Sequence, residues 1–473
     1  MAFPETINMD MARRRFFLRS GSGFGMAALA GLLADKPANA ASATPQPHFI
    51  PKAKRVIYLH MIGAPSHLDL FENKPELVKR DGQECPESLL RGRRFAFIGG
   101  KMTLAGSRFQ FQKKGRSGLE LSNLLPHLGT VADEIAIVKT VHTEEINHAP
   151  AQMFLHTGFG RGGRPSIGSW LNYGLGSETE NLPAYVVLLS GPLGGAGTTL
   201  WSSGFLPSVN QGIQFRTSGD PVLFLSNPQG QTREDRTQIL QSINQLNSRR
   251  LATAGDPEIA TRISQYEMAF RMQASVPDLM DISRETPATL AAYGAKPGAP
   301  SFANNCLLAR RMIERGVRVV ELYDADWDHH NSLERSLPRK AADVDQPMAA
   351  LVRDLKQRGL LEETLVIWGA EFGRTPLRQG IDGDGKTVNP GRDHHKDAFC
   401  FWMAGGGIKG GITLGKTDDF GFAPVENPVH VHDLNATVLH LMGLDHEKLT
   451  FKYQGREYRL TDVHGNVVKS LLA

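Results

Sequence analysis

The sequence predicts an α/β protein, a three-layer α/β/α sandwich with a mainly parallel central sheet. Short apolar runs rich in β-branched residues alternate with amphipathic segments of helical period. Such alternation indicates parallel strands with helices on both faces of the sheet. The composition agrees, since 473 residues with 41% hydrophobic and 22% charged side chains can bury a large core.

The first forty residues have the three parts of an export signal. Arg13–Leu18 (RRRFFL) fits a twin-arginine pattern, Gly21–Ala34 is a modest apolar stretch, and Ala38–Ala40 offers an A-x-A cleavage site. The apolar stretch is too short for a comfortable membrane span. We therefore expect a signal peptide at 1–40, a linker at 41–54 and a single domain at 55–473, located in the periplasm or secreted, with no transmembrane segment after signal removal.

Charge and cysteine content exclude two other classes of protein. The net charge of +4 includes the basic N-terminus, and no other stretch forms a basic tract, so nucleic-acid binding is not indicated. The three cysteines (Cys85, Cys306 and Cys400) are widely spaced and form no zinc-ribbon pattern. We expect them to be buried free thiols.

The predicted elements follow one another along the chain. Strands are expected at Arg55–Met61, Ile135–Val141, Leu182–Ser190, Val317–Tyr323, Thr364–Trp368 and Ala398–Met403. Helices are expected at Leu121–Asp133, Ala149–His156, Ser166–Leu175, 235–273 with a break near Gly255, Phe302–Arg315 and Asp433–Met442, the last with Asp433 as N-cap. Surface insertions are expected near 72–117, with a hairpin at 95–106, and near 198–232, and a linker at Glu285–Pro300.

Clusters of carboxylates and imidazoles follow several of these strands. They are Asp324, Asp326, Asp328, His329 and His330 after one strand, Glu371 and Arg374 after the next, and then Asp393, His394 and His395. The carboxyl ends of parallel strands meet at one crevice, so these groups are expected to converge. Together they suit a divalent metal such as Zn, Mn, Fe or Ca.

The spacing leaves two ligand pairs open after the first of these strands. Asp326 and His330 would share a face on a helical turn, whereas Asp328 and His330 would converge from an extended strand end. The competing interpretation is a solvated acidic turn with incidental histidines. Arg374 is a candidate for neutralising an anionic ester through its planar guanidinium.

Two loops nearer the N-terminus carry further candidates. His67 and Asp69 follow the first strand, where they are either ligands or partners in local turn hydrogen bonds. Asn147 and His148 precede a helix with Pro150 in its first turn, and a helix N-terminus favours anions such as sulfate or phosphate esters.

The motifs GAPSHLDLF, NHAPAQMFLHTG, WDHHN, EFGRTP and GRDHH carry a family resemblance. The chain resembles, over nearly its full length, the exported domain-of-unknown-function 1501 family, in the sulfatase-like branch of the alkaline phosphatase superfamily. This resemblance implies an alkaline phosphatase-like sandwich with one or two metals at the carboxyl end of the sheet. It also implies Glu371 and Phe372 at the position of a metal-binding pair, Asp326 and His330 as an Asp-x-x-x-His motif, and His394 as a later ligand.

The chain departs from the superfamily pattern at three points. The nucleophile position holds Asn147 or His148 where Cys, Ser or Thr is usual, and Phe372 cannot bind a metal. The first strand ends in Ile62-Gly63 where an Asp ligand is usual, so His67 or Asp69 would have to substitute.

Two functions follow from these residues. The first is a metal-dependent hydrolase of sulfate or phosphate esters, of a small molecule or a polysaccharide, with His148 as general acid or base and Arg374 and Asn147 at the catalytic centre. The second is a non-catalytic binding or assembly protein on the same scaffold, acting with other exported proteins. The candidate metal ligands are Asp326, Asp328, His330, Glu371, His394, His67 and Asp69.

Overall fold

The computed structural model describes residues 46–473 except 217–219, 223–225, 228–229 and 381–389, and it leaves the side chains of 257–258 undescribed. The described residues belong to one compact unit, Gln46–Ala473. The predicted signal peptide at 1–40 and the first part of the linker, 41–45, lie outside the described residues. No helix in the described part is long and apolar enough to cross a bilayer.

The secondary structure follows the predicted alternation. The strands are β1 (Arg55–Met61), β2 (Phe111–Lys114), β3 (Leu119–Ser122), β4 (Ile135–His142), β5 (Tyr185–Ser190), β6 (Ile213–Phe215), β7 (Val319–Asp324), β8 (Thr364–Gly369), β9 (Gly373–Arg374), β10 (His394–His395), β11 (Phe399–Ala404), β12 (Ile412–Leu414), β13 (Lys416–Thr417), β14 (Pro424–Glu426), β15 (Val429–His430), β16 (Phe451–Tyr453) and β17 (Arg456–Tyr458). The helices are α1 (His67–Leu70), α2 (Pro75–Lys79), α3 (Glu87–Leu90), α4 (His148–Thr157), α5 (Ile167–Leu175), α6 (Arg233–Ala254), α7 (Pro257–Met280), α8 (Pro287–Tyr293), α9 (Phe302–Glu314), α10 (Leu333–Gln357) and α11 (Val431–Leu441).

The main sheet has the strand order β12-β4-β11-β8-β1-β7-β5-β6, and β15 also pairs with β4. Strand β1 lies between β7 and β8 and is parallel to both. Strand β11 is the exception, because it runs antiparallel to both β4 and β8. The prediction of a mainly parallel sheet is therefore confirmed.

Side chains along β7 show that helices cover both faces of the sheet. Glu321 points to the face where it meets Tyr185 of β5 and His156 of α4. Asp324, whose side chain points to the other face, forms an ion pair at 2.8 Å with Lys340 of α10. The predicted three-layer α/β/α sandwich is thus confirmed.

The strand directions bring distant segments to one edge of the sheet. Strands β1, β7 and β8 end at this edge, and β4, which is parallel to β8, ends there too. Because β11 runs the other way, the residues that precede it, including β10, also lie at this edge. The edge therefore combines the loops after the parallel strands with the segment that leads into the antiparallel strand β11.

Two local predictions, one in the first insertion and one directly after it, are wrong. The hairpin lies at β2 and β3 and not at 95–106, because Leu119 and Leu121 supply the buried alternation that a packed strand needs. A helix at Leu121–Asp133 is excluded by β3, and the chain forms a 3₁₀ helix at Leu128–Glu134. Asp345 fixes its start by accepting hydrogen bonds from the backbone N–H groups of residues 127 and 128.

Two later predictions also need correction. The predicted linker Glu285–Pro300 contains α8, whose N-cap Thr286 accepts a hydrogen bond from the Thr289 N–H. The N-cap of α11 is His430, and Asp433 is the third helical residue of a capping box that accepts the His430 N–H.

Candidate metal centre

Four side chains from three segments converge at the carboxyl edge of the sheet. His148 begins α4, Asp328 and His330 follow β7, and His394 lies in β10. One ligand atom from each lies within 4.8 Å of the others. The Nε2 atom of His330 is 2.9 Å from Asp328 Oδ1 and 3.1 Å from His394 Nε2, and His148 Nε2 is 3.3 Å from Asp328 Oδ2. Ligand atoms around a tetrahedral zinc ion are about 3.4 Å apart, so this spacing fits such an ion.

The other ring nitrogen of each imidazole is bound to an oxygen atom. His148 Nδ1 lies 2.7 Å from Glu371 Oε1, and His330 Nδ1 lies 2.6 Å from Gln379 Oε1. His394 Nδ1 lies 2.8 Å from the carbonyl oxygen of Ile146. Since an amide or carbonyl oxygen only accepts, Nδ1 of His330 and of His394 carries the proton, and in the neutral rings both Nε2 atoms present lone pairs.

This tautomer assignment makes the centre unfavourable without a cation. Two Nε2 lone pairs, those of His330 and His394, face each other at 3.1 Å. His148 Nε2 is buried and has no hydrogen bond of good geometry. A cation shared by these nitrogen atoms removes the repulsion, and Nδ1 hydrogen bonds of this kind typically orient metal-binding histidines. The donor set therefore fits a divalent metal ion.

Glu371 stands behind His148 and does not belong to the four. Its Oε1 atom accepts hydrogen bonds from His148, from Gln152 Nε2 at 3.0 Å and from the Gly63 N–H at 3.0 Å. Burial alone would raise the pKa of Glu371, but hydrogen bonds from His148 and His60 hold it well below its usual range. The structure thus gives this predicted ligand the position of an orienting carboxylate.

Opposing effects set the charge of the cluster. Burial lowers the pKa of His148, but the carboxylates of Asp328 and Glu371, which lie beside its two ring nitrogens, outweigh burial and raise that pKa to about 9. Burial would raise the pKa of Asp328, whereas the imidazoles of His148, His330 and His394 and the guanidinium of Arg374, all beside its carboxylate, hold that pKa far below its usual range. Burial lowers the pKa of His394, which favours the neutral imidazole that a metal requires.

Arg374 lies beneath Asp328 and is almost fully buried. Its Nη2 atom donates to Asp328 Oδ1 and to the Gly63 carbonyl, both at 2.5 Å, and Nε donates to the Ala64 carbonyl at 2.8 Å. The guanidinium therefore holds the carboxylate of Asp328, and it does not face solvent as the predicted anion clamp would.

The remaining predicted residues lie outside the cluster. Asp326 is exposed with a φ of 70°, so Asp328 is the partner of His330, as the extended alternative required. Asp69 is buried in an ion pair with Arg392 at 2.8 Å. His67 is buried with its Nε2 3.8 Å from a carboxylate oxygen of Glu72. Asn147 is the exposed N-cap residue of α4, and its side chain makes no capping hydrogen bond.

A buried polar chain behind Glu371 was not predicted. His60 Nε2 lies 3.4 Å from Glu371 Oε2, His156 Nε2 lies 3.2 Å from His60 Nδ1, and Glu321 Oε1 lies 3.7 Å from His156 Nδ1. The hydroxyl of Tyr185 donates to Glu321 Oε2 at 2.6 Å. The sequence did contain a sign of this buried polar chain. His60 and Glu321 lie inside the strands RVIYLHM and VVELYD, where apolar residues are the rule.

Two further contacts of the cluster were also missed. Gln379 orients His330, and the Ile146 carbonyl orients His394. A backbone carbonyl leaves no trace in the sequence. Phe97, from the first insertion, packs edge-on against His330 and His394 with ring centroids 5.2 and 5.1 Å away.

Comparisons with known proteins support the family and leave the chemistry to the site. The family model described as "Protein of unknown function (DUF1501)" matches residues 53–472. No curated protein is significantly similar in sequence. Solved structures that are similar include the PsFucS1 sulfatase from Pseudoalteromonas sp., at 14% identity and a TM-score of 0.35, covering 84% of this chain and 68% of that one.

Two other similar structures are hydrolases by name. One is the alkaline phosphatase from the Antarctic bacterium TAB5, at 11% identity and a TM-score of 0.33, covering 84% of this chain and 99% of that one. The other is the phosphonate monoester hydrolase SpPMH from Silicibacter pomeroyi, at 11% identity and a TM-score of 0.34, covering 89% and 76%. At such identities the function has to be argued from the residues of the site.

Proposed function

Because the chain belongs to the family described as "Protein of unknown function (DUF1501)", as its motifs predicted, we propose a function from the geometry of its site. The protein is a metal-dependent hydrolase of sulfate or phosphate esters, of small molecules or of a polysaccharide. Its metal ligands are His148, Asp328, His330 and His394.

One observation carries this proposal. Each of the three imidazoles has its Nδ1 atom bound to an oxygen and its Nε2 atom turned toward Asp328 or a neighbouring Nε2. Three imidazoles held in this way around one carboxylate form a set that Zn, Mn or Fe accepts, and less readily Ca.

The ligands are accessible to a substrate. The Asp328 side chain is 41% exposed, and His148 and His330 are partly exposed. A divalent ion bound there would supply Lewis acidity to an anionic ester and lower the pKa of a water molecule beside it. Glu371 orients His148, and Arg374 holds Asp328 in place. Exposed Asn147, at the N-terminus of α4, is positioned to contact the anionic group.

A second function is favoured by the number of ligands. Four protein ligands complete the tetrahedral shell typical of structural zinc sites, whereas catalytic sites usually keep a position open. This favours a non-catalytic binding or assembly protein that acts with other exported proteins. Both functions require the bound metal, but only the hydrolase would cleave an ester.

Metal content tests both proposals. We expect the purified full-length protein to contain one divalent ion per chain by elemental mass spectrometry. His330→Ala and His394→Ala should lose it, because each removes a ligand. His329→Gln is the matched control, since His329 is the neighbouring imidazole and lies outside the cluster. A well-folded wild type that binds no divalent ion would contradict the proposal.

Turnover then separates the two functions. The hydrolase should cleave 4-nitrophenyl phosphate or 4-nitrophenyl sulfate, lose this activity with a chelator and regain it with the metal. Stoichiometric metal with no cleavage of either ester would favour the assembly protein.

We also propose export by the twin-arginine route, on the pattern in Arg13–Leu18 and the Ala38–Ala40 cleavage site. Replacing Arg14 and Arg15 by Lys should leave the protein in the cytoplasmic fraction of the cell. Unchanged export of that variant would contradict this route.

A further inference from the structure

Phe97 is an exposed aromatic side chain beside the metal centre. Its relative exposure is 63%, which is high for a phenylalanine that packs against other side chains. Its ring meets the rings of His330 and His394 at interplanar angles of 88° and 81°. One part of the ring therefore touches two proposed ligands, and the rest faces solvent.

The backbone around Phe97 is held in place by hydrogen bonds to the carboxylate of Asp393. The Oδ2 atom of Asp393 accepts the N–H groups of Ala96, Phe97 and Ile98 at 3.1, 2.9 and 3.1 Å, and its Oδ1 atom accepts the N–H of His394 at 2.8 Å. One buried carboxylate thus ties this segment to the residue that supplies a metal ligand.

The side chains flanking Phe97 point elsewhere. Phe95 and Ile98 pack against a small hydrophobic core that includes Leu104 and Phe422. Phe97 belongs neither to this small core nor to the main hydrophobic core of the protein. Exposure of Phe97 is therefore not a consequence of a loose loop. The neighbouring anchors set the segment so that this one ring stands at the mouth of the site.

A second phenyl ring, which is buried, also packs against the imidazoles. Phe372 is 1% exposed and packs against His148 and His394 with ring centroids 4.9 and 4.5 Å away. The imidazoles thus contact two phenyl rings, the buried ring of Phe372 and the exposed ring of Phe97. The buried ring of Phe372 has a structural role, because it packs against the imidazoles on a surface that solvent does not reach. The solvent-facing surface of Phe97 has no such role.

We propose that the ring of Phe97 is a substrate-contact surface, and that the ester bound at this site carries a ring with a flat apolar face next to its anionic group. This inference rests on the proposed function and names its substrate class. Apolar contact with an exposed ring is favourable, and aromatic rings prefer offset or edge-on partners. Aryl esters and hexopyranose esters both offer such a face.

The geometry also fixes where that ring lies in the substrate. The Phe97 centroid is about as far from His330 as from His394, at 5.2 and 5.1 Å. A ring packed on Phe97 would therefore lie beside the ligands, and this suits an ester group attached to that ring directly or through one carbon. Long flexible alkyl esters do not meet this requirement.

Binding of phosphonates tests the inference without turnover. Metal-loaded full-length protein is titrated calorimetrically with phenylphosphonate and with methylphosphonate, which share an anionic group and differ in the ring. We expect phenylphosphonate to bind about tenfold more tightly, the ratio that burial of part of a phenyl ring produces. In Phe97→Ala the two affinities should agree within about twofold, and Phe97→Trp should keep the preference.

The matched control is Phe159→Ala. Phe159 is 36% exposed, and it packs under the guanidinium of Arg164 at 4.1 Å and not against the imidazoles. Its removal should leave the preference for the phenyl compound unchanged. A second pair, the phosphonate isostere of glucose 6-phosphate and ethylphosphonate, distinguishes a pyranose from an aryl source.

The outcomes separate this inference from the proposed function. Loss of the ring preference in Phe97→Ala for the phenyl pair supports an aryl ester, and loss for the glucose pair supports a sugar ester. Three results would overturn the proposed contact with Phe97. They are equal affinities within both pairs in the wild type, a ring preference that survives in Phe97→Ala, and no binding of any of the four phosphonates. Ester cleavage with equal affinities refutes only the role of Phe97, and a ring preference without ester cleavage refutes only the hydrolase.

Discussion

At the scale of single residues, the metal centre depends on hydrogen bonds that the ligands make away from the metal. Glu371 is the clearest case, because its Oε1 atom receives three donors while His148 is held by it at 2.7 Å. A carboxylate in this position fixes the ring orientation and raises the basicity of the ligand. The residue therefore contributes to metal binding through His148.

Glu371→Gln should weaken metal binding about 10- to 100-fold, because an amide orients His148 without a negative charge. The measurement is competition for Zn²⁺ with a chelator of known affinity. Glu72→Gln is the matched control: Glu72 is equally buried, binds Lys74 and Thr417, and lies outside the cluster. Equal Zn²⁺ affinities in the wild type and Glu371→Gln would contradict this role.

At the scale of elements, the site lies at one edge of the sheet because the parallel strands end there and the antiparallel strand β11 begins there. The loop after β7 supplies Asp328 and His330, and the segment before the antiparallel strand β11 supplies His394. The N-terminus of α4 supplies His148. Ligands from different segments are at least 64 residues apart in the chain, the smallest separation being that between His330 and His394. The centre therefore forms only when the sheet is assembled.

The N-terminal end of helix α11 contains a histidine whose burial is costly in acid. His432 packs against Phe154, His430 and His464 with ring centroids 5.0, 5.1 and 5.3 Å away. Burial, and then the neighbouring His430 and His464, lower its pKa to about 4. Glu144 and Asp462 oppose this shift from the facing segments.

Stability should therefore fall as the pH drops from about 6.5, the pKa of an unfolded histidine, toward 4. A folded pKa below the unfolded one means that the unfolded chain takes up the proton first. Urea unfolding at pH 7.5 and pH 5.0 should show a smaller loss of stability in His432→Phe than in the wild type. His464→Phe keeps the buried imidazole and should retain the loss, whereas an equal loss in His432→Phe would refute the assignment.

At the scale of the whole molecule, buried charges link segments that are far apart in the chain. Asp69 of α1 and Arg392, which precedes β10, form an ion pair at 2.8 Å with both side chains about 2% exposed. Arg392 also donates to the carbonyls of Ala105 and Thr375. This guanidinium therefore joins the first insertion to the loop that carries His394.

Asp69→Ala should destabilise the protein by about 3–5 kcal/mol, because it leaves a buried guanidinium without its partner. Chemical denaturation gives this value, and the double variant Asp69→Leu/Arg392→Met should recover part of it. Metal content should stay at the wild-type level, since Asp69 lies outside the cluster. Loss of metal from a folded Asp69→Ala protein would instead make Asp69 a ligand.

Much of the architecture could be predicted because burial leaves a local pattern. The run Arg55–Met61 was predicted and observed with the same bounds, and the runs at β4, β7, β8 and β11 were found within two residues. Apolar, β-branched runs of this length are buried wherever the rest of the chain lies. The hairpin at 95–106 failed since that segment is held by Asp393, almost three hundred residues away.

By itself, the sequence determined most of the buried strands and helices and which chemical groups stand at the strand ends, because both follow from neighbouring residues. Only the tertiary structure decided that Asp328 and not Asp326 meets His330, that Glu371 lies behind His148, and that Asp69 pairs with Arg392. These choices depend on loop conformation, such as the φ of 70° at Asp326, and on contacts between segments distant in the chain. Neither loop conformation nor contacts between distant segments leave a periodic pattern in the sequence. A sequence pattern can therefore list the candidate ligands of a site, and only the packing of the folded chain selects the actual ligands among them.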